Sequence, residues 1–352
     1  MPLPPEILRI IFAATIDDKA TSCNLLISSR QFCELVEPAL YTCIVFKPWS
    51  SRLSTLSWLQ VFLHALDVSN GRRAAYVRVL TFLGFSDDRS ERALFDKVLA
   101  KTGNLRSLNL YCSLARHSFH QSPVFTLTSL RVSSILLHED QDALAFLESQ
   151  TSLQKLHLFT HTPNFENELE FSSALFPNLK ALFVHNSFVM PFLRIARRVD
   201  CLCIAGNAYL PNSSPENTTH MDSIQMSSCL RIRTLSCVCL FRAEAAISVA
   251  SLFPNLEWLS GPFRKANPDD LYTCNRNLRG ILLIRQSTGF SQDEANQFFN
   301  AMPSLQFVEY STSFDKSHRW YRGAAASTPV RWLCEHDDKW SADWVDDVVA
   351  EH

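Results

Sequence analysis

One phrase recurs along this 352-residue chain and constrains its fold more than any other feature: Leu-x-x-Leu-x-Leu. The clearest copies begin at Leu105 (with Leu108 and Leu110), Leu153 (Leu156, Leu158) and Leu179 (Leu182, Val184). Further copies begin at Val199, Met221, Leu235 and Leu278, and fainter ones at Val77, Leu130, Leu256, Leu305 and Val330. Successive starts lie 20 to 28 residues apart, except for a 14-residue step between Met221 and Leu235. Along a strand, alternate residues share one face, so the second and third apolar residues of each phrase point the same way. The first turns inward just before the strand.

Such spacing lies in or near the range of leucine-rich repeats, in which short parallel strands stack and the intervening residues cover one side. Leu94, Phe95, Val98 and Leu99 make a helical stripe between two phrases, and Phe298, Phe299 and Met302 make another before Leu305. Turns recur just ahead of the strands, as Pro177-Asn178-Leu179, Pro254-Asn255-Leu256 and Pro303-Ser304-Leu305. The Asn or Cys that usually closes the phrase occurs at Asn207 and Cys229 and is mostly missing elsewhere, so the array is irregular. The alternative is a generic α/β domain with a parallel sheet. Residues 53–69 predict a helix with Leu56, Leu59, Phe62, Leu63 and Leu66 on one face, stopped at Asn70-Gly71 and capping the open end of the array.

The first 46 residues read differently. Leu3, Pro4, Pro5 and Glu6 precede Ile7, Leu8, Ile11 and Phe12, an apolar stripe at helical period. Both prolines suit a first helical turn, which has no use for their missing N–H. Asp17-Asp18 suits the start of a second helix, and Ser28-Ser29 could cap a third that Pro38 helps to end. Three such short helices bury little on their own.

This order, Leu-Pro-x-Glu, then Ile-Phe, then an apolar run into Ser29-Arg30-Gln31-Phe32, resembles the F-box family over about residues 2–46. Asp18-Lys19-Ala20 departs from the more apolar pair common there. The resemblance implies a three-helix F-box that docks a Skp-type adaptor through Leu3, Pro4, Ile7, Leu8, Ile11 and Phe12, and through it a cullin-RING ubiquitin ligase. With the repeats, the chain resembles the fungal-type F-box/leucine-rich-repeat class. The expected fold is α/β: a short F-box (1–46), a connecting or capping helix (47–75) and an irregular leucine-rich-repeat-like solenoid with a parallel sheet (76–336). An acidic C-terminal helix or tail (337–352) would close it. The implied function is substrate recognition for the ligase, by proximity and without chemistry in this chain, in the cytoplasm or nucleus. A repeat scaffold acting without a ligase is the alternative.

Composition narrows the other classes. The chain has 33 basic and 35 acidic residues, which leaves no broad basic footprint for nucleic acid. Eight Gly and no Gly-rich loop argue against a phosphate cradle, and no apolar run reaches the length of a membrane span. The N-terminus lacks the features of a signal peptide, and eleven Cys without framework spacing favour a reducing compartment. Cys201-x-Cys203 and Cys237-x-Cys239 could each present two thiols on one strand face. A Met221 strand between them would put the pairs about 10 Å apart, too far to share an ion, so half-buried thiols are the expected reading and no metal or other cofactor is implied. His157 and His161 bracket a strand end, where a helical spacing has no meaning.

No catalytic motif is present, so the residues between the repeat leucines are the best surface candidates. They place Tyr111, His157, Phe159, Phe183, His185, Phe241, Trp258, Phe307 and Trp332 on the concave face, where aromatic side chains would anchor a protein substrate. The alternative is that flanking loops cover them.

Overall fold

In a computed structural model of the protein, the phrases form neighbouring strands of a mostly parallel sheet backed by helices, an α/β architecture. The structure describes residues 30–46, 55–82, 89–113, 125–134, 141–158, 175–185, 189–195, 197–205, 227–237, 243–261, 266–283, 290–313, 316–324 and 326–330, with the single residues 21, 24 and 263. The chain divides into two compact units, Met1–Leu153 and Gln154–His352.

In the first unit, helix α1 (Arg30–Thr42) leads into strand β1 (Cys43–Phe46), then α2 (Thr55–Val68), α3 (Arg72–Tyr76), β2 (Val79–Phe82), α4 (Arg89–Lys101), β3 (Ser107–Ser113), β4 (Ser129–Ser134) and α5 (Gln141–Ser149). Strands β1 to β4 pair in sequence order, all parallel. Helix α1 runs through Pro38 rather than ending there. Its packing outweighs the lost hydrogen bond: Val36 and Glu37 are buried, and the Glu37 carboxylate takes Arg73 Nε at 2.6 Å and an Arg72 guanidinium nitrogen at 2.7 Å. The helix expected at 53–69 is α2, with Leu59, Phe62 and Leu66 buried. It stops as anticipated, with Asn70 and Gly71 in left-handed backbone (φ 50° and 79°) and the Gly71 N–H bonded to Leu66 O. It is not an outer cap, however. Strand β1 lies ahead of it in the sheet, so α2 and α3 form the crossover between β1 and β2.

The second unit contains β5 (Lys155–Leu158), β6 (Ala181–His185), α6 (Val189–Ile195), β7 (Cys201–Ala205), β8 (Thr234–Cys237), α7 (Ala243–Ser251), β9 (Trp258–Gly261), α8 (Pro268–Cys274), β10 (Gly280–Leu283), α9 (Gln292–Ala301), β11 (Phe307–Ser313), β12 (Lys316–Tyr321) and β13 (Thr328–Val330). Strands β5 to β11 are parallel neighbours in sequence order. Local chemistry starts two of the helices. Asn267 caps α8 ahead of Pro268, and Ser291 with Glu294 forms a capping box on α9.

Seven rungs enter their strands through the same turn. The N–H of the first phrase residue donates to the carbonyl three residues earlier, at 3.0–3.3 Å, for Val77, Leu105, Leu153, Leu179, Ile232, Leu256 and Leu305. Pro177, Pro254 and Pro303 stand at the second turn position, where a fixed φ suits a type I or II turn. The next residue ties one rung to the rung before it. Asn104 Nδ2 donates to Ala75 O at 2.9 Å, Asn255 Nδ2 to Leu230 O at 2.8 Å and Ser304 Oγ to Arg276 O at 2.8 Å, and Arg231 donates likewise to Arg197 O. Pro254-Asn255-Leu256 is thus a turn and a clamp together.

Phrase residues are buried as anticipated at Leu105, Leu108 and Leu110, at Leu153, Leu156 and Leu158, and at Leu179, Leu182 and Val184. Four of the expected rung starts need correction. Leu130 pairs with Leu108, and Leu235 pairs with Leu202, so those rungs begin at Leu127 and Ile232. Because the phrase carries Leu at its first and fourth places, a slip of three residues leaves an apolar residue in phase. Strand β7 pairs directly with β8, so no Met221 rung lies between them, and the 14-residue step disappears. Val330 starts no rung. Its strand β13 pairs antiparallel with β12, which is itself antiparallel to β11, so the described sheet ends in a meander.

Candidate interaction surface

Side chains of β5 to β12 that do not enter the phrase core form two rows on the other face of the sheet. One row is His157, Phe183, Cys203, Ser236, Ser260, Leu282, Glu309 and Arg319, and the other is Lys155, Ala181, Cys201, Thr234, Trp258, Gly280, Phe307 and Tyr321. The expectation that these residues line an open face is corrected. Phe183 is 0 % exposed, His157 3 % and Phe307 8 %, and the first row is buried throughout. Parallel sheets are ordinarily shielded on both faces, and the first row follows that rule, whereas the second row leaves Lys155 and Tyr321 exposed and Trp258 half-buried. The His157 ring lies 3.7 Å from that of Phe183, a packed pair rather than a free imidazole.

The structure brings two anticipated residues together. Trp258 and Phe307 stand on strands separated by β10, with Gly280 between them in the row. Their rings meet at 5.4 Å over this residue, and a Cβ at Gly280 would come within 2.6 Å of both rings. Tyr321 follows Phe307 at 6.2 Å and is 43 % exposed, while Trp258 is half-buried. The sequence reading missed Tyr321 and Arg319. Their signal was the alternation Arg319-Trp320-Tyr321 before Gly323, which marks a strand and turn rather than another rung.

Arg319 fixes this platform from beneath. Its guanidinium lies 4.3 Å from the Phe307 ring centre and 5.9 Å from that of Tyr321. Two of its nitrogens donate to Glu309 Oε2, Nε at 2.9 Å, and a third reaches the Tyr321 hydroxyl at 3.4 Å. Burial pulls the Arg319 guanidinium down, but the Glu309 charge and the hydrogen bonds outweigh it and leave it raised. The arrangement is an aromatic shelf at the last parallel strand, held by one buried ion pair.

His185 and Tyr111 lie on described strands β6 and β3. Phe159, Phe241 and Trp332, the six N-terminal residues Leu3, Pro4, Ile7, Leu8, Ile11 and Phe12, and the segment 337–352 lie outside the described residues.

The cysteines are placed differently from expectation. Cys203 pairs with Ser236, whereas Cys237 pairs with Ile204 on the phrase side, so these two thiols face opposite sides of adjacent strands. The corrected register is the reason. Among the described residues no group of three His, Cys, Asp or Glu stands close enough to hold a metal ion. Burial pushes the Cys229 thiol up to about 11 and, with Asp200 adding to it, Cys201 up to about 12; burial alone raises Cys237. An unfolded thiol ionises near 9. Between pH 9 and 12 the unfolded chain therefore loses protons that the folded chain keeps, and stability falls. The expected loss is on the order of 1 kcal/mol per pH unit between a thiol's unfolded and folded values, ending near pH 11 for Cys229, and Cys201→Ala should reduce it in chemical melts between pH 9 and 12.

No helix among the described residues is long and apolar enough to cross a membrane. No protein-family model and no curated protein matches the chain.

Proposed function

We propose that the chain is a substrate-recognition adaptor of a Skp–cullin–F-box ubiquitin ligase. In this reading its N-terminal helices dock a Skp-type adaptor, and its rungs, a leucine-rich-repeat-like solenoid, hold a protein substrate. The observation that carries the reading is the ordered run from Leu3-Pro4-Pro5-Glu6 through Ile11-Phe12 to Ser29-Arg30-Gln31-Phe32, placed directly ahead of a βα repeat. The repeat supplies a frame with side chains at regular intervals, which suits recognition. Function then lies in bringing a bound protein to the ligase.

The test is capture of a purified Skp-type adaptor. Ile7→Asp with Leu8→Asp should abolish it, because two unpaired carboxylates buried at a contact cost several kcal/mol. The melting of the repeat should be unchanged. Undiminished capture by the double variant overturns the adaptor reading and leaves a scaffold without a ligase.

A further inference from the structure

We propose that the amino edge of the second unit's sheet, where the turns lead into the strands, docks an acidic protein segment. Turn segments 177–180, 197–200, 230–233, 254–257, 276–279, 303–306 and 322–324 carry eight Lys or Arg and two acids. That is a local surplus of positive charge in a chain whose formal net charge is −2. The segments are continuous in space. From Gln154 through Lys180, Asp200, Arg233, Glu257, Arg279 and Gln306 to Arg322, each backbone N–H donates to the preceding residue's carbonyl.

Part of this charge serves the fold. Arg231 and Arg322 donate to turn carbonyls near helix ends, where a cation also answers the helix dipole, and Arg233 pairs with Glu257 at 3.1 Å. The rest exceeds that need. Lys180, Arg197 and Arg276 are exposed and have no ion-pair partner among the described residues, and Arg279 reaches Glu257 only at 3.8 Å. Trp258 and Tyr321 directly follow this edge in the strand rows. Carboxylates spaced along an extended segment would meet the cations, and an apolar side chain among them would meet the aromatic shelf.

A nucleic acid fits less well. Asp200 and Glu257 interrupt the row and would repel a continuous phosphate chain, whereas a peptide can space its carboxylates to avoid them. The ligand class stands on the edge itself. That the ligand is a ubiquitylation substrate rests on the adaptor reading above.

The test uses the purified full chain and fluorescence anisotropy. The probe is a short labelled peptide of Glu and Ser with one central Leu, compared with its Lys counterpart and with an oligouridylate of equal charge. The acidic peptide should bind, and more weakly as salt rises. Arg276→Glu with Arg279→Glu should weaken it by at least about tenfold, and Arg197→Glu, which breaks no ion pair, should weaken it measurably. Lys97→Glu on α4 should have no effect. Melting curves confirm that each variant is folded, and adaptor capture by each variant should be unchanged. Equal binding of the Glu and Lys peptides, tighter binding of the oligouridylate, or unaltered affinity in both edge variants overturns the proposal. So does binding that emerges only after removal of residues 335–352, which would assign the edge to the chain's own acidic C-terminus. Peptide binding without any adaptor capture would leave the edge standing and refute the adaptor reading alone.

Discussion

Leu182→Ala is expected to cost about 2–5 kcal/mol in denaturant melts, as are Leu108→Ala and Leu156→Ala. Each leucine is 0 % exposed and occupies the same inward place of its rung. Truncation removes several buried carbons and leaves a cavity that the hydrogen-bonded strands on either side cannot collapse to fill. One residue earlier, Ser107, Lys155 and Ala181 point to the other side. Ser107→Ala, Lys155→Ala and Ala181→Ser should stay within about 0.5 kcal/mol. Leu156 and Leu182 are partners on adjacent strands, so their double variant should depart from additivity by about 0.5–3 kcal/mol. Equal sensitivity at the leucines and at their neighbours would refute the rung register.

Arg319→Met should destabilise the second unit by about 3–5 kcal/mol, because it removes the cation that pairs with the Glu309 carboxylate at a site 6 % exposed. The double variant Glu309→Leu, Arg319→Met should recover most of that loss, since an apolar pair of similar volume carries no desolvation cost. The double variant should also loosen Tyr321, which loses both the cation over its ring and the partner of its hydroxyl. Tyr321 fluorescence is masked by the tryptophans, so an amide-exchange measurement over β12 is the appropriate readout. A single variant as stable as wild type, or a double variant no better than the single, would show that the pair is not the buried bridge described here.

Much of the repeat is legible in the sequence. Leu105, Leu153, Leu179, Val199, Leu256, Leu278 and Leu305 were placed at rung starts because a period-two strand after an inward residue leaves few alternatives. Helices α2, α4 and α9 followed from stripes of apolar residues, and the Asn70-Gly71 stop from the left-handed backbone those residues tolerate. The Pro-Asn-Leu turns were visible too, but not the hydrogen bonds that make Asn104, Asn255 and Ser304 clamps between rungs, because those partners lie a full repeat away.

Where the sequence misled, the information needed was long-range. Ile232 and Leu235 are both good phrase starts, and only pairing with Leu202 separates them, whereas a start at Leu130 puts Ser133 in the fourth place and the sequence itself favours Leu127. Phe183 and Phe307 alternate with core leucines just as exposed residues would. Their burial depends on what lies over that face of the sheet, which a strand's own period cannot report. The meeting of Trp258 and Phe307 over Gly280, and the gathering of arginines from successive turns along one edge, likewise need the strand order. Local periodicity therefore determined which residues form strands and helices and which enter the phrase core. Register between rungs, shielding of the second face and the charge of the amino edge were decided by tertiary structure, because each depends on residues a repeat or more apart in the chain.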